Sequence, residues 1–300
     1  MTCLGRTAAW SIAVLFVAVA FHAAARAEGV DTARLGQIQI SYDPPSNANF
    51  QRYYEALKSR RVLERLQSFM APLRLPNKLT VRTAQCGAET TAYKSGGPVT
   101  ICYELVQRVA AVAAEHTDDP AERTQILDGT FVEAVLHQLA YALFDQLRVP
   151  IWGRKDDAAD RLAAYVMTSF DDKVALTTIL GTAKFFQYSN HTWTGADFAS
   201  AESPEAQRFY NYLCIAYGAD PITFHFLAPR PGGPRALPRL TRERGARCTR
   251  LSPVSVNISE YLQVRHAFDL RIMPYVDPDL LIKVRASEWL LKEETPESPQ

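Results

Sequence analysis

The chain carries almost no net charge and lacks the signatures of several common enzyme classes. Its 300 residues include 33 Lys and Arg and 32 Asp and Glu, which gives a formal charge of +1 at pH 7. This balance provides no general attraction to nucleic acid or to an anionic membrane. The sequence contains no G-x-S-x-G nucleophile turn, no glycine-rich phosphate loop and no catalytic Cys/His signature. We therefore expect no nucleic-acid partner, and no hydrolase or nucleotide-binding site built on those motifs.

The chain also lacks an apolar run as long as a typical membrane span. The run from Ala8 to Ala20 is short for a span, which needs about 20 residues. Arg6 precedes it, and Ala25-Arg26-Ala27 closes the segment like a signal peptidase site. We interpret residues 1–27 as a signal peptide of a periplasmic or secreted protein; an uncleaved membrane anchor is the alternative. Cleavage would leave 31 basic and 32 acidic residues, a formal charge of −1.

Cysteines are few, and no two of them form a C-x-x-C pair. Cys3 would leave with the signal peptide, so the mature chain keeps four. An even number in an exported protein predicts two disulfides, with zinc ligation by the thiols as the weaker alternative. Three pairings are open, and proximity in the sequence favours Cys86–Cys102 and Cys214–Cys248.

The remaining sequence predicts one α+β domain that is mostly helical, with a small N-terminal β-element. Hydrophobic residues make up 47% of the chain, enough for a sizeable core. We assign this domain to residues 28–292 and a disordered polar tail to 293–300. Alternating or short apolar runs predict strands at 37–42, 79–83 and 99–102. If Cys86 and Cys102 are bonded, they would close a hairpin formed by the last two strands.

Helical spacing of apolar residues covers most of the chain beyond the first strand. The predicted helices span residues 48–70, 103–115, 129–147, 168–187 and 203–214, with a further one that starts at Asp156 or Asp157. The helix over 129–147 carries an apolar stripe and should therefore be deeply buried. Its stripe is formed by Val132, Val135, Leu136, Leu139, Leu143 and Phe144.

That helix contains a nearly complete zinc-peptidase motif. In H-E-x-x-H, two His at i and i+4 share a helix face and bind zinc, and the Glu is the general base. Here His137 occupies the first ligand position, but Gln138 replaces the base and Tyr141 replaces the second ligand. Downstream, Asp156 and Asp160 stand four residues apart at the start of the next helix, so they also share one face.

Together these motifs resemble a family of exported bacterial proteins described as putative metallopeptidases of unknown function. The resemblance covers roughly residues 38–280, and its motifs occur in the same order. They read here as Cys86-Gly, Ile101-Cys-Tyr-Glu-Leu, His137-Gln-Leu-Ala-Tyr-Ala, Pro150, Gly153-Arg-Lys-Asp-Asp-Ala-Ala-Asp, Gln207-Arg-Phe-Tyr-Asn-Tyr-Leu-Cys and Tyr217-Gly-Ala-Asp-Pro.

The resemblance implies a zincin-like fold and roles for three site residues. As in thermolysin-like peptidases, His137 and Asp156 would be metal ligands, and Asp160 would orient His137 by accepting its other N–H. The departures fall on the chemistry at Gln138, Tyr141, Lys155 and Asp156, where the family has Glu, His, Glu and Glu.

These departures favour a protein that has lost catalysis. Gln138 cannot accept a proton, and general-base catalysis contributes about 10²–10⁴-fold in rate. Tyr141 is a poor zinc ligand because the usual pKa of tyrosine is near 10. We therefore expect no catalytic residue and no cofactor, and a function in binding a peptide or protein partner. The alternatives are an active metal-dependent hydrolase, with zinc at an unusual site, and a purely structural envelope protein.

A cluster of basic residues suggests one further partner. Residues 230–250 hold seven Arg but only one acid, Glu243. The loop from Arg230 to Arg250 could bind an anionic surface, although such a run is more often a solvated loop.

Overall fold

In the computed structural model, residues 38–190, 201–228, 240–249 and 259–278 are described, and within them helices dominate. We number the nine described α-helices in chain order. They are α1 (Ala48–Ser59), α2 (Val62–Met70), α3 (Tyr103–His116), α4 (Pro120–Gln146), α5 (Lys155–Met167), α6 (Asp172–Ser189), α7 (Glu205–Ala219), α8 (Arg242–Cys248) and α9 (Glu260–Arg271). With a small sheet near the N-terminus, they confirm the predicted α+β class.

The sheet has four strands in the order β1-β2-β4-β3. They are β1 (Ile38–Tyr42), β2 (Leu79–Ala84), β3 (Thr91–Tyr93) and β4 (Val99–Cys102). β1, β2 and β4 run parallel, and β3 is antiparallel to β4. β4 lies in the interior and all its residues are buried, which agrees with its continuous apolar run.

The expected hairpin between residues 79–83 and 99–102 is wrong. β2 and β4 are parallel, because the short strand β3 lies between them in the sequence and makes the hairpin with β4 instead. The Cys86–Cys102 disulfide therefore links the segment after β2 to the end of β4. The second disulfide joins Cys214 on α7 to Cys248 at the end of α8.

Two helix boundaries differ from the sequence expectation. The helical stretch at 48–70 is two helices, because Arg61 adopts a left-handed backbone conformation with φ of 51°. The motif helix α4 begins at Pro120 rather than near residue 129. Asp119 caps it by accepting the N–H of Ala121, and proline is favoured in the first turn of a helix.

The helix α4 forms the centre of the described structure. Fifteen of its 27 residues are buried, including the whole predicted apolar stripe. α3, α5, α6, β3 and β4 pack around it. The approach of α6 is close because Gly129 and Gly181 face that contact, where a Cβ would collide with backbone atoms of the opposite helix.

No described helix has the length and apolar character needed to cross a membrane. The predicted signal peptide at 1–27 and the tail at 293–300 lie outside the described residues and stay predictions. So do four of the seven arginines of the basic loop.

Candidate functional site: a buried cluster of charged residues

The helices α4 and α5 bring the four sequence-predicted residues together. His137 projects from α4, and its Nδ1 lies 2.9 Å from Asp160 Oδ1. Its Nε2 lies 3.1 Å from Asp156 Oδ1. The Tyr141 hydroxyl, one turn further along α4, donates to the same Asp156 oxygen at 3.4 Å. The i,i+4 spacing of each pair puts two side chains from each helix into one place.

His137 and Asp156 form a buried ion pair. Burial alone would lower the pKa of His137, but hydrogen bonds to Asp156 and Asp160 outweigh it and raise the pKa to about 9. Burial also acts against the charge of Asp156, yet the hydrogen bond from His137 and the nearby Arg208 hold its pKa well below the usual value. At neutral pH the imidazolium of His137 therefore donates to a carboxylate from each of its nitrogens.

Arg208 on α7 supplies a second cation that the sequence reasoning missed. Its Nη2 lies 2.8 Å from Asp160 Oδ1 and 2.7 Å from Glu133 Oε1, and its Nε donates to both Asp160 oxygens at 3.1 Å. The guanidinium also stacks on the Phe186 ring, 4.2 Å from the centroid. Its side chain stays 21% exposed, so the guanidinium closes the cluster on the side of α7.

Glu133 is the other residue that was missed. It lies one turn before His137 and accepts hydrogen bonds from Arg208 and from the Tyr212 hydroxyl at 3.1 Å. Burial raises the pKa of Glu133, and the positive charges of Arg208 and His137 act against that rise. The signal that could have identified it is an acid next to the apolar stripe of a helix expected to be deeply buried, since a buried carboxylate needs a partner.

Hydrogen bonds also fix the start of α5 to α7 and to the segment before it. The Ser203 N–H donates to Asp156 Oδ2 at 2.7 Å, and its hydroxyl donates to Asp157 at 2.8 Å. The Asn211 amide donates to Asp157 at 3.1 Å. Both oxygens of Asp156 are thus engaged, one by His137 and Tyr141 and the other by backbone.

Gln138, in the position of the general base, binds the sheet. Its side-chain amide donates to the Thr91 hydroxyl on β3 at 2.9 Å. Two further bonds hold the same hairpin to α4, since Asp145 accepts from the hydroxyls of Tyr93 and Ser95 at 2.9 and 2.7 Å. The residue in the general-base position, Gln138, therefore helps to hold the β3–β4 hairpin to α4.

By distance alone, part of the cluster could hold a metal ion. Glu133, His137 and Asp160 are buried, and each offers a ligand atom within 4.8 Å of the others. However, the guanidinium of Arg208 already binds Glu133 and Asp160, and its positive charge is permanent. A metal ion at this point would have to displace it.

The donor set on the other side of His137 does not fit zinc either. It consists of His137, Asp156 and Tyr141. Burial and the negative charge of Asp156 raise the pKa of Tyr141, so the phenol keeps its proton. The Lys155 ammonium lies 4.6 Å from the centroid of the Tyr141 ring. A zinc site needs three good protein ligands, whereas this set offers a charged imidazole, one carboxylate and a neutral phenol beside a cation.

Comparison with known proteins gives one match. Residues 42–253 match the model of a protein family described as "Putative metallopeptidase". The matched part covers more than two thirds of the chain and contains every residue of the charged cluster. No curated protein and no solved structure matches the chain.

Proposed function

The chain belongs to the "Putative metallopeptidase" family, and we propose that it is a catalytically degenerate member that binds a peptide or protein segment. The observation that carries this proposal is the state of His137. Its Nδ1 lies 2.9 Å from Asp160 Oδ1 and its Nε2 lies 3.1 Å from Asp156 Oδ1, so each ring nitrogen already has a carboxylate partner, and a metal ion would have to displace one of these contacts. His137 and Arg208 supply two positive charges to the three carboxylates of Glu133, Asp156 and Asp160.

The position of the general base supports the same proposal. Gln138 is a neutral amide that cannot take a proton from water. It is also engaged with Thr91 on β3. Restoring a carboxylate at this position would therefore remove the amide donor of that bond.

The sheet supports a binding role. β3 is the last strand in the order β1-β2-β4-β3, and within the described residues no strand pairs with its outer side. An extended peptide can add to such an edge through main-chain hydrogen bonds. The bonds from Gln138, Tyr93 and Ser95 to their partners hold β3 against α4, so the edge is preorganised beside the helix that carries the motif.

Export is part of the proposal. The two disulfides indicate an oxidising compartment, in keeping with a periplasmic or secreted protein. The proposal of an anionic surface has less support. Of the described arginines in the basic loop, Arg244 binds Glu260 and Arg247 binds Glu243 at 3.0 Å, so part of the positive charge is already neutralised.

One observation favours the second candidate, an active metal-dependent hydrolase. The 3.1 Å separation of His137 Nε2 and Asp156 Oδ1 is about the distance between two ligands of one zinc ion with bonds near 2 Å. In this candidate His137 and Asp156 would be two of the ligands, and the third stays unassigned. The donor chemistry described above makes this the weaker candidate.

The two candidates are separated by rebuilding the motif. The triple variant Gln138→Glu, Tyr141→His and Asp156→Glu restores the donor set, and we expect it to retain zinc after dialysis, measured by elemental analysis. The matched control is Gln138→Glu alone, which should retain none because it adds no ligand. If the unmodified protein carries about one zinc per chain together with a chelator-sensitive peptidase activity, the degenerate assignment is wrong.

A further inference from the structure

A cavity of about 1090 Å³ lies between the end of α4 and the helices α5, α8 and α9. We call it the arginine-lined cavity, for the charges described below. No residue of the charged cluster around His137 and none of β3 is among the described residues that line it. Its volume is close to the upper end of the usual range for ligand sites, about 300–1,000 Å³.

Aliphatic side chains form much of the cavity lining. They are Val149, Ile151, Leu162, Val264 and Ile272. Leu162 and Ile272 are buried, but Val149, Ile151 and Val264 keep part of their surface exposed. In α9 none of the 12 residues is buried, so the side chain of Val264 stays accessible to a ligand. Covering this exposed apolar area with an apolar group would favour binding.

The charged side chains in the lining leave an excess of positive charge. They are Arg161, Arg247, Arg271, Glu243 and Glu260. Arg247 is paired with Glu243 at 3.0 Å. Glu260 is held by Arg244 from outside the lining, since each terminal nitrogen of that guanidinium lies 3.0 Å from one of its two oxygens. Both acids are therefore neutralised without Arg161 and Arg271.

Arg161 lacks a hydrogen-bond acceptor. Its ion-pair partner is Glu260, whose Oε2 lies 3.9 Å from Arg161 Nε, which is too far for a hydrogen bond. This Nε is shielded from solvent, and within the described part of the chain no acceptor reaches it. A buried donor without an acceptor is unfavourable. The side chain as a whole is 36% exposed, so a ligand oxygen that draws the guanidinium towards the cavity could supply the missing acceptor.

From this complementarity we propose that the arginine-lined cavity binds a small amphiphilic carboxylate, a molecule with one apolar chain and one carboxylate group. The carboxylate would accept N–H groups of Arg161, since a guanidinium can donate two parallel hydrogen bonds to a carboxylate. Arg271, which is exposed at the end of α9, would add a second positive charge. The apolar chain would lie on Ile151, Leu162 and Val264. This site is separate from the β3 edge and does not depend on the state of His137.

The test uses the mature full-length protein and decanoate, with binding measured by isothermal titration calorimetry. We expect saturable binding of one decanoate per chain. Two probes serve as controls. Acetate has the carboxylate without the apolar chain, and decylamine has an equally long chain with a positive head group. Both should bind at least about tenfold more weakly, because each lacks one of the two complementary features.

Variants locate the site. Arg161→Gln removes the cation and should raise the dissociation constant for decanoate about tenfold, whereas Arg161→Lys keeps the charge and should lose less. Ala267→Asp places a negative charge at an exposed position of the lining and should weaken binding by a similar factor. The matched control, Arg108→Gln, removes a positive charge from an exposed position of α3 outside the lining and should leave the affinity unchanged.

Three results would overturn the proposal. The first is the absence of decanoate binding. The second is binding of decylamine as tight as that of decanoate, which would show that the positive charge of the cavity does not select the ligand. The third is an unchanged affinity for decanoate in both Arg161→Gln and Ala267→Asp, which would place the ligand elsewhere. None of these results bears on the proposal for the β3 edge.

Discussion

Two faces of α4 differ in the charged side chains that they carry and in how these are paired. One face, which we call the closed face, carries Glu133 and His137, which contact Asp156, Asp160 and Arg208. Every charged group there has an opposite charge within hydrogen-bond distance. On the other face, which we call the open face, Leu136, Leu139 and Leu143 line a cavity of about 810 Å³, and the exposed Asp172 lies beside it at the start of α6. The paired charges of the closed face hold α4, α5 and α7 together, whereas the open face contributes only apolar side chains of α4 to its cavity. The motif of the family therefore marks the structural face of this helix.

The largest loss of unfolding free energy is expected on the closed face when Arg208, its permanent cation, is replaced. Arg208→Met leaves Glu133 and Asp160 without their main partner, and breaking a buried ion pair from one side costs about 3–5 kcal/mol. We expect a loss near the lower value, since Arg208 is 21% exposed. Urea unfolding measures it. Arg208→Lys keeps the charge and should lose less; a change below about 1 kcal/mol in Arg208→Met would show that the network adds little to stability.

The next effect is a pH dependence set by His137. Its pKa of about 9 in the folded protein exceeds the usual 6.5. The contribution of protonated His137 to the unfolding free energy is therefore complete below about pH 6.5 and is lost as the pH rises through 9. A shift of this size corresponds to about 3 kcal/mol. The difference in unfolding free energy between wild type and His137→Gln, measured from pH 6 to pH 10, should shrink across this range. A constant difference would contradict the ionic state of His137.

A smaller effect is expected at Gln138, because its bond to Thr91 joins α4 to the sheet. Gln138→Ala should cost about 1 kcal/mol, the usual value of one hydrogen bond. The double variant with Thr91→Val should cost less than the two single variants together, since both remove the same interaction. Strict additivity would show that Gln138 does not hold β3.

The smallest effect on stability is expected on the open face. Asp172 is exposed at the start of α6, so Asp172→Asn should change the unfolding free energy by no more than about 0.5 kcal/mol. The matched substitution on the closed face, Asp160→Asn, should cost several times more because it weakens the bonds to both His137 and Arg208. Equal costs measured by urea unfolding would remove the distinction between the two faces.

The part of the site that sequence reasoning found depends on local spacing. His137 and Tyr141 are four residues apart on one helix, as are Asp156 and Asp160, so periodicity and the family resemblance were enough. Arg208 was missed although it stands in a recognised motif. Its partners lie 48 and 75 residues away, and nothing local indicates which buried acid a distant arginine will meet.

The fold shows the same division between local and non-local information. Helices and the three longer strands follow from apolar periodicity, and the fold class was correct. The strand β3 was missed because three half-buried residues show no pattern. The predicted direction of β4 relative to β2 was wrong because pairing direction depends on contacts between segments that are distant in the sequence. The break at Arg61 needed a left-handed backbone conformation that Arg rarely adopts.

The protonation state of His137 tests the central claim most directly. Nitrogen-15 NMR of the imidazole side chain distinguishes a ring with two N–H groups from one bound to a metal. In the mature protein at pH 7, before and after one equivalent of zinc, we expect both nitrogens of His137 to stay protonated and to titrate near pH 9. Loss of one proton with direct zinc binding at Nε2 would contradict the account and would favour the active metal-dependent hydrolase.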